Sequence, residues 1–242
     1  MFEIRNLADS AEILLYGDIG EDFWGDGNSA ETFVSQLNEL SPKPLDIRID
    51  SCGGDVYEAF AMCSAIQRYE GFTTAYIDGL AASAASYIAV VCDQVVMNDY
   101  AFLMIHNAWT MTAGNADYLE QTASRLRCID QTIAAIYEKR SDFDNDTIRE
   151  MMAAETWLSA DEAMIHGFCQ EVLVTEERMA AHVDSGTAAR FRHLPASVSI
   201  KDEAEDEAIS HTPNTIDEKV EEPVASYLVI DGKAYRKDSE NV

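Results

Sequence analysis

Basic residues are scarce in this chain. Its 242 residues hold 17 Lys and Arg against 44 Asp and Glu, a formal net charge of -27 at pH 7. Phosphate binding needs clustered cations, so nucleic acid is not an expected ligand. An anionic membrane surface is excluded on the same ground. Long apolar runs are absent too: no stretch approaches the roughly 18 residues of a membrane-spanning helix. The N-terminal MFEIRNLADS carries acids and lacks the apolar centre of a secretory signal. The five cysteines (Cys52, Cys63, Cys92, Cys128, Cys169) are odd in number, sit in apolar stretches and show no metal-ligand spacing. That pattern predicts no metal site and a reducing compartment, the cytoplasm. No Gly-x4-Gly-Lys-Ser/Thr motif occurs, so the chain is not expected to hydrolyse ATP. Nothing in the sequence calls for a cofactor.

What is present is enough apolar material for a core, 47% of residues with 9% aromatic. It is unevenly spread. Up to residue 175 periodic apolar segments follow closely, predicting one domain over 1–175. Residues 176–225 are polar and contain the acidic run Asp202–Glu207, which predicts a linker or tail. Residues 226–242 form a short apolar segment whose alternation around Asp231-Gly232 predicts a hairpin. Within 1–175, strand patterns at AEILLYGDI, LDIRID, FTTAYIDGLA, QVVMN and AFLMIHNAW alternate with helical ones. Ser29 is placed to cap a first helix. A long helix over 116–140 carries Leu119, Leu126 and Ile133 seven apart, a seam wide enough to meet another subunit. The fold class is therefore α/β.

Four segments could carry chemistry. In Gly79–Ala89, GLAASAASYIA, Ser83 lies where a strand meets an all-apolar helix, among small neighbours and near free helix N–H groups. Serine is also a leading helix cap, so this segment alone leaves capping and nucleophile both open. Ser86, one turn on, is expected to pack or bond to a carbonyl. In IDSCGGDV the pair Gly53-Gly54 exposes backbone N–H groups between a strand and a helix. His106 ends the apolar strand of LMIHNA and is the leading imidazole base, since His182, His193 and His211 fall in the tail and His166 on a terminal helix. In MAAETWLSADEAMIHGF, Glu155 is suited to orient an imidazole, or is a solvated helix-end carboxylate.

Taken in order, these segments resemble the proteolytic subunit of the Clp protease family and its phage and prophage relatives, the head maturation proteases. Ser51-Cys52-Gly53-Gly54 is similar to the family's Ser-Pro-Gly-Gly, Gly79-Leu80-Ala81-Ala82-Ser83 to its nucleophile motif, and Met104-Ile105-His106 to its Met-Ile-His. Trp157-Leu158-Ser159-Ala160, with Glu162, Ala163 and Gly167, is similar to its Phe-Leu-Ser-Ala segment. The resemblance covers about 10–175. It implies repeated ββα units of the Clp/crotonase type with a long handle helix at 116–140. It implies Ser83 as nucleophile, His106 as base, Glu155 in the place of the family's Asp, and the N–H groups of Gly54 and Ala84 as oxyanion hole. Cys52 stands where the family has Pro, and Asp142, Asp144 and Asp146 are nearby rivals for the acid. As partners the resemblance implies copies of the chain in rings, as heptamers or stacked heptamers, a protein substrate such as a capsid or scaffold protein, and an AAA+ unfoldase. As location it implies the cytoplasm or a phage prohead.

Three alternatives remain at this level. A Ser–Lys peptidase of the signal-peptide-peptidase type would use Lys139 as base. A crotonase-type acyl-CoA enzyme would share the fold and not need Ser83 with His106. A ring kept only for assembly would have no activity.

Overall fold

A computed structural model describes residues 3–20, 28–40, 42–174, 182–200, 227–230 and 233–236. The chain divides into two compact units, Met1–Ile200 and Lys201–Val242. In the first, β1 (Glu3–Asn6) pairs antiparallel with β2 (Ala11–Tyr16), and α1 (Ala30–Glu39) follows, capped by Ser29 as its sequence predicts. Next come β3 (Leu45–Ser51), α2 (Val56–Arg68), β4 (Thr73–Ala82) and α3 (Ala84–Val90). Then β5 (Gln94–Asn98), β6 (Phe102–Ile105), α4 (Ala116–Arg140), α5 (Asn145–Ala154), β7 (Thr156–Ser159), α6 (Ala160–Ile165) and β8 (Glu171–Leu173) complete the run. The α/β class and the handle helix over 116–140 are as expected from sequence.

The sheet order is β1-β2-β3-β4-β5-β8, and β4 is where it forks. The first half of this ten-residue strand pairs β5 through Thr74–Ile77, and its last three residues pair β6 in parallel, Leu80 with Phe102 to Ala82 with Met104. β7 then returns antiparallel along β6, Met104 facing Trp157 and Ile105 facing Thr156. One step beyond these registers, the ends of β4, β6 and β7 bring residues 83, 106 and 155 to one corner.

Strand alternation explains the core. β3 reads buried at Leu45, Ile47, Ile49 and Ser51 with half-exposed residues between. All seven residues of α3 are buried, so this short helix is held by packing rather than by its own propensity. Arg140, at the end of α4, donates to the carbonyls of Val90, Cys92 and Asp93 and so closes the chain that leaves α3. Only the second half of α4 is buried, at Ile133, Ala134 and Tyr137. Its first half stands clear, with Tyr118 and Leu119 exposed alongside Trp109 and Met111.

The predicted domain closes at residue 175, and the compact unit extends beyond it. The first unit runs to Ile200, with β9 (His182–Val183), α7 (Ser185–Ala188) and β10 (Ser199–Ile200) added to it. Val183 and Val198 are buried in a second small core with Leu80, Ala82 and Met104. Their apolar residues are isolated in sequence, without a period that would announce an element. In the second unit, β11 (Tyr227–Ile230) pairs antiparallel with β12 (Lys233–Arg236). The acidic run 202–207, His211 and the turn residues Asp231 and Gly232 lie outside the described residues. No described helix is long and apolar enough to cross a membrane.

Candidate active site

Ser83 leaves β4 at φ 54, ψ -122, a conformation that non-glycine residues rarely adopt and that costs on the order of 1–3 kcal/mol. Two anchors impose it: its own N–H donates to Met104 O on β6 (3.0 Å), and its carbonyl accepts from Ser86 N as α3 begins. It occupies the N-cap position of α3, yet its side chain makes no capping bond. The hydroxyl instead meets His106 Nε2 at 2.7 Å. Capping, the competing expectation for this serine, is thereby ruled out. Ser86 is fully buried, bonded to Ser83 O and to Tyr137 Oη, each at 2.6 Å. It is packed as the sequence suggests.

His106 follows β6 directly and is 8% exposed. The chain after it is pinned where Asn107 N donates to Met152 O (3.2 Å) and Ala108 N to Asp130 Oδ1 (2.7 Å). Its pKa lies below the ordinary imidazole value. Burial is the main cause and Arg192 adds to it, while the charge of Glu155 opposes them. The imidazole is therefore neutral, and able to accept a proton, at and somewhat below neutral pH. A reaction using it as base should show kcat/KM rising through an apparent pKa below 6.5 and level by neutrality, measured as a pH–rate profile.

Glu155 ends α5 in the left-handed region at φ 55 and is 4% exposed. Its Oε1 accepts from Arg192 N (2.6 Å) and His193 N (2.7 Å). Among the rivals, Asp144 is committed as the cap of α5, accepting from Thr147 N at 2.9 Å. Asp142 borders Gly167, where a side chain on that glycine would meet its carboxylate. Of these carboxylates, Glu155 alone is a source of charge at His106. Lys139, the base of the Ser–Lys alternative, is exposed in the last turn of α4 and does not line the cleft.

Both glycines after β3 are sterically required. A Cβ on Gly53 would come within 2.7 Å of Ala82 O and Ala84 N and 2.8 Å of Ser83 Cβ. A Cβ on Gly54 would lie 2.0 Å from Ile19 O. Gly53 O and Asp55 N both bond to Ile19, so the alternation of an extended chain turns the Gly54 N–H to the opposite side. Ala84 is the first residue of α3, and its N–H has no partner within the helix. Ser83, His106 and Gly54 line one cleft of about 690 Å³ with Tyr87, Trp109 and Met111. Cys52 also borders it, but burial, reinforced by Asp18 and Asp50, pushes its thiol up to about 12, which makes it a poor rival nucleophile. No group of three or more metal-ligating side chains occurs among the described residues.

A hydroxyl bonded to a buried neutral imidazole, beside unpaired backbone N–H groups, is the geometry of a serine hydrolase. The Clp protease family model matches residues 3–176, and the chain belongs to that family of serine proteases. Similar curated proteins include the ATP-dependent Clp protease proteolytic subunit of Bacteroides thetaiotaomicron, 25% identical over 150 residues that cover 61% of this chain and 68% of the relative. Another is ATP-dependent Clp protease proteolytic subunit 1 of Salinibacter ruber, 28% identical over 150 residues covering 60% and 64%.

Proposed function

We propose that this chain is a serine endopeptidase in which Ser83 is the nucleophile, His106 the general base and Glu155 the acid of the triad. The observation that carries the reading is the 2.7 Å contact between Ser83 Oγ and His106 Nε2 on a serine that forgoes its capping bond. Ser83 Oγ attacks the scissile carbonyl as His106 takes its proton. The N–H groups of Gly54 and Ala84 receive the negative oxygen, and the α3 N-terminus adds its positive dipole end. His106 then returns the proton to the leaving amine, and water repeats the sequence on the acyl-enzyme. Glu155 orients the imidazole and stabilises its charged form, a role open to Glu as to Asp.

Three finer features belong to this proposal. The first half of α4, unpartnered in the single chain, supports self-association into rings with the active sites inside. The names of the relatives, both proteolytic subunits of an ATP-dependent Clp protease, support an AAA+ unfoldase as partner. The acidic stretch beyond residue 176 supports a head maturation protease of a phage or prophage, acting on basic capsid or scaffold proteins, because opposite charge favours their encounter.

The test is hydrolysis of short fluorogenic peptides by the purified full chain in EDTA, without nucleotide. Turnover is expected, because a short peptide needs no unfolding and the proposed residues need no metal. Absence of turnover by the assembled protein would contradict the assignment.

A further inference from the structure

The carboxylate of Glu155 is held by a segment that the family match does not reach. The match ends at residue 176, and the two N–H groups on Glu155 Oε1 come from Arg192 and His193. The Glu155 side chain is 2% exposed, and a buried carboxylate is costly unless donors meet it. Other contacts fix the segment in place. The Phe191 ring stands edge-on to Trp157 (5.2 Å between centroids, 84°), two residues along the chain from Glu155. The same ring lies 6.5 Å from the His106 ring and lines the cleft. Phe191 N donates to Ala188 O, and Arg190 pairs with Asp18 at 3.0 Å. Behind these contacts, Val183 and Val198 are buried in one cluster with Leu80, Ala82 and Met104, which lie near the ends of the strands that deliver Ser83 and His106.

We infer that residues 190–193 position the triad acid: the backbone N–H groups of Arg192 and His193 fix one oxygen of Glu155, leaving the other for His106, and Phe191 walls the cleft beside the imidazole. Arg192 and His193 are positioning residues, acting through Glu155. The inference rests on Glu155 being the triad acid. Two amides on one carboxylate oxygen set the orientation of the whole group, because the second oxygen then has a fixed direction. The Arg192 guanidinium contributes little by comparison: it is 3.9 Å from Oε2 and its side chain is 69% exposed. The main chain of this segment, rather than its side-chain charges, is what the site uses.

Proline removes a backbone N–H and alanine keeps it, so paired substitutions in the full chain isolate the contribution. Arg192→Pro and His193→Pro are expected to lower kcat for peptide hydrolysis by about 10–100-fold with KM little changed, the scale of a misplaced catalytic group. Arg192→Ala and His193→Ala should stay within a few-fold of wild type. The pH profile adds a readout that loss of packing would not move. Glu155 opposes the lowering of the His106 pKa, so a carboxylate that drifts away should put the acid limb of kcat/KM lower in each proline variant than in its alanine partner, a comparison in which the lost Arg192 charge cancels. Should a proline variant fail to fold, Phe191→Ala loosens the same segment and should lower kcat while also changing KM, since the ring borders the cleft. Proline variants as active as their alanine partners would overturn the inference, and so would variants more active than wild type, because the segment would then be an inhibitory cover. Glu155→Gln, run alongside, separates the two levels. If it loses activity while the proline variants keep theirs, only this inference fails; if it keeps activity, the acid assignment fails first.

Discussion

Replacing Ser83 by Ala is expected to reduce peptide hydrolysis by about 10⁴–10⁶-fold, and His106→Ala to cost a similar factor, while the Ser83→Ala/His106→Ala double variant loses no more than either alone. The reason is that hydroxyl and imidazole act as one unit. Without the imidazole, the hydroxyl at 2.7 Å keeps its proton and is a weak nucleophile; without the hydroxyl, the base has nothing to activate. What remains in every case is the binding cleft and the N–H groups of Gly54 and Ala84. Folding should survive the serine change. Ser83 holds its backbone through N–H and carbonyl bonds that alanine also makes, and its side chain makes no capping bond whose loss would loosen α3. Progress curves at high enzyme concentration measure the three rates, and circular dichroism checks the fold. Losses that multiply in the double variant would mean that the two side chains act separately.

The second large effect is expected at the acid. Glu155→Gln should lower kcat by about 10⁴-fold, since an amide of the same shape cannot stabilise the imidazolium and can hold the ring in the wrong tautomer. Glu155→Asp should retain more, limited by the shorter reach from a residue fixed at φ 55 at the end of α5. In Glu155→Gln the apparent pKa of His106 should fall, because the opposing negative charge is gone. Asp142→Asn and Asp146→Asn, which alter carboxylates outside the proposed site, serve as controls and should leave the rate within a few-fold. Steady-state kinetics against pH measure all four variants.

Much of the site is legible in sequence because its parts are local. Small residues around Ser83, two adjacent glycines after a strand and a histidine closing an apolar strand each reflect a steric or electronic need met within a few residues. Gly53 and Gly54 show how hard that need is, since any side chain would collide with Ser83 or Ile19. Which serine and which histidine meet is a different matter. It depends on the fork in β4 and on the registers of β6 and β7, which are pairings between distant segments. Glu155 is a candidate from its own segment and takes a triad role only by resemblance; the antiparallel step from Ile105–Thr156 is what carries it to the level of His106.

What the sequence hides is the segment 182–200. It reads as tail because Val183, Phe191, Leu194 and Val198 are single apolar residues among polar ones, and the contacts that seat them on the strands are long-range. Its contribution to the site is largely main-chain, through N–H groups that every non-proline residue carries and that no residue pattern marks. The seam on α4 was legible as a pattern and is only half used within the single chain, where Ile133 and Tyr137 are buried and Leu119 stays exposed.

The central claim is that the Ser83 hydroxyl, activated by His106, is the attacking group. Its most direct measurement is labelling of the full chain with a fluorophosphonate probe, followed by digestion and mass spectrometry of the modified peptide. The account predicts one adduct, on Ser83, formed rapidly in the wild type and nearly lost in His106→Ala. Labelling of Ser86 or another residue instead, or labelling of Ser83 that proceeds equally fast without the imidazole, would contradict it.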